Sequence, residues 1–288
     1  MLGASGFIGK SIVLNAPGHI ELTGTYFRNE INYQDGKFEY LNYLNDDLDW
    51  KQIIENYSCI IVSARANAGK RIYRDNISSL TQKSYEKMIK AIKESKSKPF
   101  IVAVNGSLTY GHRGEKLVKT GDEINPTGFA KSYSIGEKPF REYLIENNEI
   151  AILRAPWVLG LGSWFSQIYL IPNKIPIIGK GKQWMAIVAV DDLARYVWQL
   201  VEMRISGVFH PKLTSRCRQK EFANIVKQVT KKQTKKIGKI GLLKIDKQMR
   251  ESILASIKLD DGRGNQSEND SSKSELKNII KEIYSGFS

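Results

Sequence analysis

Three glycines at three-residue intervals open the chain, in the run Gly3-Ala4-Ser5-Gly6-Phe7-Ile8-Gly9. Glycines at this spacing let a backbone turn tightly and approach a pyrophosphate, which then rests on the N-terminus of the following helix. Gly3, Ser5, Gly6, Phe7, Ile8 and Gly9 are therefore the first candidate binding residues, and the chemistry is recognition of a dinucleotide. Such a loop normally leaves a buried parallel strand. Only Met1 and Leu2 stand before it, so the first strand should be truncated and the loop poorly aimed at its cofactor.

Other chemistries find less support. His19, His112 and His210 are scattered, and Cys59 and Cys217 lie far apart, so neither metal-ligand spacing nor a disulfide framework is present. Two isolated cysteines suit a reducing compartment, and the cytoplasm is the expected location. No long apolar run or leader-like opening suggests a membrane. The formal charge of +14 would favour anionic partners. Its densest stretch, residues 227–250, lacks the interleaved aromatics that stack on bases, and reads as solvated surface rather than a nucleic-acid patch.

The elements that must position the loop alternate. A helix should follow Gly9, its apolar side formed by Ile8, Ile12, Val13 and Leu14, and Pro17-Gly18 should stop it. Residues 20–27 are rich in β-formers, and the short apolar run at 59–62 suits a parallel strand buried on both faces. Helices are expected over 48–57, 76–95 and 134–147, with strands at 100–104 and 150–153. Asp191 and Asp192 can cap a further helix whose stripe is Leu193, Val197, Leu200 and Val201. Residues 171–178 should be extended, 221–229 helical, and the polar run 259–274 a mobile loop before a last helix. Strands alternating with helices imply α/β architecture with a parallel sheet.

Several separated stretches now resemble the extended short-chain dehydrogenase/reductases, the nucleotide-sugar epimerase, dehydratase and reductase group. Besides the glycine loop, these are Asp75-Asn76-Ile77, Asn105-Gly106-Ser107-Leu108-Thr109-Tyr110-Gly111, Leu153-Arg154-Ala155-Pro156-Trp157-Val158-Leu159-Gly160 and Val190-Asp191-Asp192-Leu193-Ala194. They fall in the group's order over residues 3–194. The resemblance implies a Rossmann-like, doubly wound parallel sheet with a smaller C-terminal substrate lobe. The NAD(P)-binding domain would occupy 1–160, its sheet completed by segments near 184–212, and 161–288 would be mainly substrate lobe.

At the cofactor end, the tip of the second strand meets the adenosine ribose in this fold, where a carboxylate favours NAD and a basic residue suits a 2′-phosphate. Here Tyr26-Phe27-Arg28 occupies that place, so NADP is the expected cofactor, with NAD the alternative and Arg28 either the phosphate partner or a surface arginine. Asn42 falls where the group often has an aspartate at the adenine. Ser63-Ala64-Arg65 replaces the usual apolar lining, with Arg65 directed either to a phosphate or to solvent. Pro156 completes the implied cofactor set.

The catalytic end departs from the group. Its chemistry needs a tyrosine to move a proton, a lysine one turn later to lower that tyrosine's pKa, and a serine or threonine to orient the substrate oxygen. Anchoring on Gly136-Glu137 puts Phe129 at the tyrosine position and Tyr133 at the lysine position. Anchoring on Tyr133 puts Glu137 at the lysine position, and anchoring on Lys138 puts Ser134 at the tyrosine position. No register restores both groups. Tyr133, as a relocated proton donor or a packed helix tyrosine, and Ser107 are the candidate catalytic residues. Lys131 and Lys138 are expected on the surface.

The implied activity is NAD(P)-dependent oxidoreduction or epimerisation of a nucleotide sugar or similar carbonyl compound. The alternative is a catalytically degenerate regulatory protein that binds NADP or a nucleotide sugar. A small molecule is the expected partner, without nucleic acid or membrane, and the group commonly forms homodimers.

Overall fold

The computed structural model describes residues 1–31, 36–65 and 71–286. The chain divides into two compact units built from interleaved segments. One comprises Met1–Asn105, Ser132–Arg154 and Ala194–Phe209; the other comprises Gly106–Lys131, Ala155–Leu193 and His210–Ser288.

In the first unit, the strands Cys59–Val62, Phe100–Gly106, Ile150–Ala155 and Gly207–Phe209 form a four-stranded sheet in that spatial order. Cys59–Val62 runs parallel to Phe100–Gly106, and Gly207–Phe209 parallel to Ile150–Ala155. Strand side chains alternate across the sheet. Ile101, Ala103, Ile150 and Ile152 pack with Tyr85, Met88 and Ile92 of the Arg71–Glu94 helix and Phe140 and Tyr143 of the Ala130–Ile145 helix. Phe100, Val102, Ala151 and Leu153, of the opposite parity, are also fully buried. Both faces are covered, as a parallel sheet of apolar strands requires.

A second parallel pair, Thr23–Tyr26 with Lys37–Tyr40, continues this array through residues 1–4. The Leu2 amide donates to Ile61 O at 2.8 Å and Ser63 N donates to Leu2 O at 3.0 Å. On the other side, Ala4 N donates to Thr25 O and Thr25 N to Met1 O, both at 2.9 Å. The short opening thus takes the central strand's place and is hydrogen-bonded on both edges, although a single bridge, Leu2 with Val62, is its only regular pairing with the larger sheet among the described residues. Sequence reading anticipated the deficit and missed how completely these residues are held.

The second unit contains a buried aromatic cluster. Phe165, Tyr169 and Phe222 pack with Leu276 and Ile280 of the Asp270–Ser285 helix. Trp184–Ala189 lies between Ser215–Arg218, antiparallel, and Trp157–Leu159, parallel. The 171–178 region yields the expected extended piece, Lys174–Ile178, paired parallel with Gln233–Ile237. That second strand and the short helices Lys239–Leu243 and Lys247–Leu254 lie in the lysine-rich run, where Lys235, Lys236, Lys239, Lys244 and Lys247 are exposed.

The polar run before the last helix is more ordered than the sequence suggested. Asn269 Oδ1 accepts the Ser272 amide at 2.9 Å and caps a helix that begins at Asp270. Arg216, fully buried, donates to Leu259 O at 2.7 Å and Gly264 O at 2.5 Å, and pairs with Glu268. The mobile loop is instead pinned by a guanidinium. No helix among the described residues is long and apolar enough to cross a membrane.

Both cysteines are thiols in the described structure. Burial pushes the Cys59 thiol up to about 11 and the Cys217 thiol up to about 12, from about 9. The folded state therefore keeps protons that the unfolded chain releases. The associated stability is fully present below pH 9 and is lost as pH rises toward those raised values. Between about pH 8 and 10.5 the parent should lose roughly 2 kcal/mol more than Cys217→Ala, read from urea midpoints. Equal losses in the two proteins would contradict this assignment.

Candidate functional site

The glycine loop is folded hard against itself. Gly6 N donates to Gly3 O at 3.1 Å, and Lys10 N to Gly6 O at 2.8 Å. Gly3 has φ +85°, in the left-handed region, and a Cβ there would stand 2.6 Å from Ala64 Cα. At Gly9 a Cβ would come within 2.0 Å of Gly3 O. Gly6 caps the Phe7–Leu14 helix in extended conformation, with no side-chain hydrogen bond to the cap and no acidic residue in the first turn. The first amides of a helix have no intrahelical acceptor, and they carry the positive end of its dipole. Such a helix N-terminus is the kind of place where a pyrophosphate can rest, and Ser5 is half-buried in the loop that leads to it.

The loop is stitched to the turn after Cys59–Val62. Ser63 Oγ donates to Leu2 O at 3.2 Å and Gly3 O at 3.3 Å. Ala64 O accepts from the Tyr85 hydroxyl at 3.2 Å. Further along the sheet edge, the exposed Arg28 lies just beyond Thr23–Tyr26, its guanidinium 5.9 Å from the Phe27 ring centroid. Asn42 follows Lys37–Tyr40 and forms a turn, its Oδ1 accepting Leu44 N at 3.2 Å.

Arg65 carries the least expected geometry. Its guanidinium carbon lies 4.5 Å from the centroid of the Tyr133 ring. Two residues singled out for different reasons, one for the cofactor and one for proton transfer, thus meet within the first unit. An Arg⁺ over an aromatic face is attracted by the ring quadrupole.

The Ala130–Ile145 helix that presents Tyr133 is anchored by an ion cluster. Glu137 is buried and bonded to Arg154, Arg141 and Asn105; the Arg141 contact is 3.0 Å. Glu137 and Arg154 side chains are 1% and 2% exposed, whereas Arg141 is 26% exposed. Glu137 accordingly serves as the counter-charge that carries Arg154 inside a buried strand, whatever its place in the tyrosine motif. The sequence held a signal: Arg154 stands within an otherwise apolar strand, and a buried charge demands a partner. Lys138 and Lys131 are surface residues, pairing with Glu142 at 3.5 Å and Glu251 at 2.7 Å respectively.

In the second unit, Ser107 is buried and opens the one-turn helix Ser107–Tyr110. That turn is fixed by Thr109 Oγ1 donating to Gly106 O at 2.8 Å and by Tyr110, whose hydroxyl lies 2.8 Å from His210 Nε2. Pro156 is half-buried between Ile150–Ala155 and Trp157–Leu159. Phe129, the residue at the tyrosine position of one register, donates its amide to Ser252 Oγ at 3.0 Å and sets its ring edge-on to Trp164 at 4.9 Å. Its role in the second unit is packing.

This architecture is the fold of the nucleotide-sugar epimerases and dehydratases, as the motifs implied. Human epimerase family protein SDR39U1 (isoform 2), solved with NADPH, is 19% identical over 99% of this chain and 98% of its own, with a TM-score of 0.76. UDP-N-acetylglucosamine 4-epimerase from Methanobrevibacter ruminantium M1, in complex with UDP-N-acetylmuramic acid, is 16% identical over 99% and 96%, with a TM-score of 0.75. DesIV, a dTDP-glucose 4,6-dehydratase from Streptomyces venezuelae with NAD and TYD bound, is 14% identical over 97% and 94%, with a TM-score of 0.71. No protein-family model matches the sequence, and no curated protein matches it.

Proposed function

We propose that the chain binds a nicotinamide dinucleotide and acts as an oxidoreductase or epimerase on a nucleotide sugar or a similar carbonyl compound. The observation that supports this reading is the cradle at Gly3, Gly6 and Gly9, where the absence of side chains lets the loop close tightly on itself and on Ala64 while the helix amides stay without a side-chain cap, the arrangement that suits a pyrophosphate. Gly3, Ser5, Gly6, Phe7, Ile8 and Gly9 hold the phosphates in this reading. Arg28 meets a 2′-phosphate, which selects NADP over NAD. Asn42 and Ala64 serve the adenosine side and Pro156 the nicotinamide side. A bound nicotinamide supplies hydride transfer; Tyr133 gives or takes the substrate proton, and Ser107 orients the substrate oxygen.

The test is titration with NADPH and NADH followed by turnover of UDP- and dTDP-linked 4-keto sugars. NADPH should bind more tightly, and Arg28→Ala should erase that preference, a change of roughly tenfold if one charge-assisted phosphate contact is lost. Turnover should disappear in Tyr133→Phe while NADPH binding persists. Failure of both dinucleotides to bind overturns the reading. Tight binding without turnover, unaffected by Tyr133→Phe, would replace it with the regulatory alternative.

A further inference from the structure

We infer that Arg65 supplies the positive charge that the tyrosine of this fold otherwise draws from a lysine on its own helix, making Arg65 a positioning residue for Tyr133. The inference rests on Tyr133 being the proton-transfer group of the proposed reaction.

The helix itself provides no such cation. Glu137, one turn after Tyr133, is a carboxylate engaged by Arg141 and Arg154. Lys131 and Lys138 are spent on Glu251 and Glu142 at the surface. Arg65 instead arrives from the turn after a sheet strand, with its guanidinium 4.5 Å from the Tyr133 ring centroid, and the two side chains are electrostatically coupled. A guanidinium stays protonated under all ordinary conditions, so this charge is constant, whereas a lysine in the same role would itself titrate. An opposite charge within about 4–6 Å favours the ionised form of a group, so Arg65 favours phenolate over phenol.

The turn holding Arg65 is positioned by contacts already described. Ser63 is tied to Leu2 and Gly3, and Ala64 to Tyr85. The glycine loop and the cation therefore share one support. Other charged groups stand on the neighbouring helix. The Arg71–Glu94 helix packs alongside with Thr81 opposite Gly136 and Tyr85 opposite Phe140. About two turns before Thr81 on that helix stand the buried Arg74 and the exposed Asp75. The Arg65 guanidinium lies against the Tyr133 ring.

The experiment reads Tyr133 directly, without cofactor or substrate. In protein carrying isotope-labelled tyrosine, the Tyr133 resonance is assigned by its loss in Tyr133→Phe and followed through alkaline pH. Arg65→Met should raise the Tyr133 midpoint by about one pH unit, and Arg65→Lys should restore most of the difference. The pH profile of turnover should move in the same direction. An unchanged Tyr133 midpoint in Arg65→Met, or failure of Arg65→Lys to restore it, overturns the inference. Because Arg65 is exposed, these variants should retain the parent fold, checked by their urea midpoints. The titration is independent of dinucleotide binding, so failure of the proposed activity and failure of this inference are separately visible.

Discussion

Glu137→Ala is expected to destabilise the protein by about 3–5 kcal/mol, the largest loss of any single side chain considered, because it strands a buried guanidinium. Arg154 is 2% exposed and lies within a fully buried apolar strand, where water cannot replace the lost carboxylate. Arg141 suffers less, since its 26% exposed side chain can turn outward. A typical domain is stable by about 5–15 kcal/mol, so the variant should be largely unfolded by concentrations of urea that leave the parent intact. Glu137→Leu combined with Arg154→Met removes both charges and should recover most of the loss, since well-packed apolar pairs often match buried ion pairs. A double-mutant cycle from urea midpoints decides the matter: additive losses would show that the two residues do not act as a pair. There is also a functional corollary. The cluster fastens the helix that carries Tyr133 to the strand Ile150–Ala155, so any soluble Glu137 variant should lose turnover more than dinucleotide affinity.

The opposite selectivity is expected at Gly9. A Cβ there meets Gly3 O at 2.0 Å, and the obstacle is backbone rather than the end of a flexible side chain. Gly9→Ala must therefore open the loop, at a cost of about 1–3 kcal/mol in stability. The turn that approaches the pyrophosphate is the part that moves, so NADPH affinity should fall by at least about tenfold, or about 1.4 kcal/mol. Gly18→Ala is the control, because a Cβ there meets nothing within 4 Å. Isothermal titration on both proteins checks the prediction. Parent-like affinity in Gly9→Ala would mean that the loop is not the phosphate cradle.

How far the sequence could be read depended on whether a feature was local. The glycine loop was legible because its requirement is backbone space, written in three residues. Val190–Met203 was legible because aspartates in the first turn and an apolar stripe agree. Lys37–Tyr40 was not, since a short, mostly exposed edge strand buries too little to leave a pattern. The start of the last helix was hidden for another reason: Asn269, which caps it, and the Asp270 and serines of its first turn have the composition of a loop. The pairing of Arg65 with Tyr133 was invisible in principle. Each residue was noticed, but only a tertiary contact between a sheet turn and a distant helix joins them.

Residues 1–4 form a seam between two flanks of the first unit. The strands leading to Arg28 and Asn42 lie on one side of this segment, and the apolar strands leading to Arg65 lie on the other. The two flanks are laced together through Met1, Leu2 and Ala4, where the glycine loop begins. A molecule gripping that loop and reaching both flanks would act as a splint across the seam. Occupancy and rigidity would then be coupled, because the loop that would grasp the ligand leaves directly from the residues that join the two flanks of the sheet.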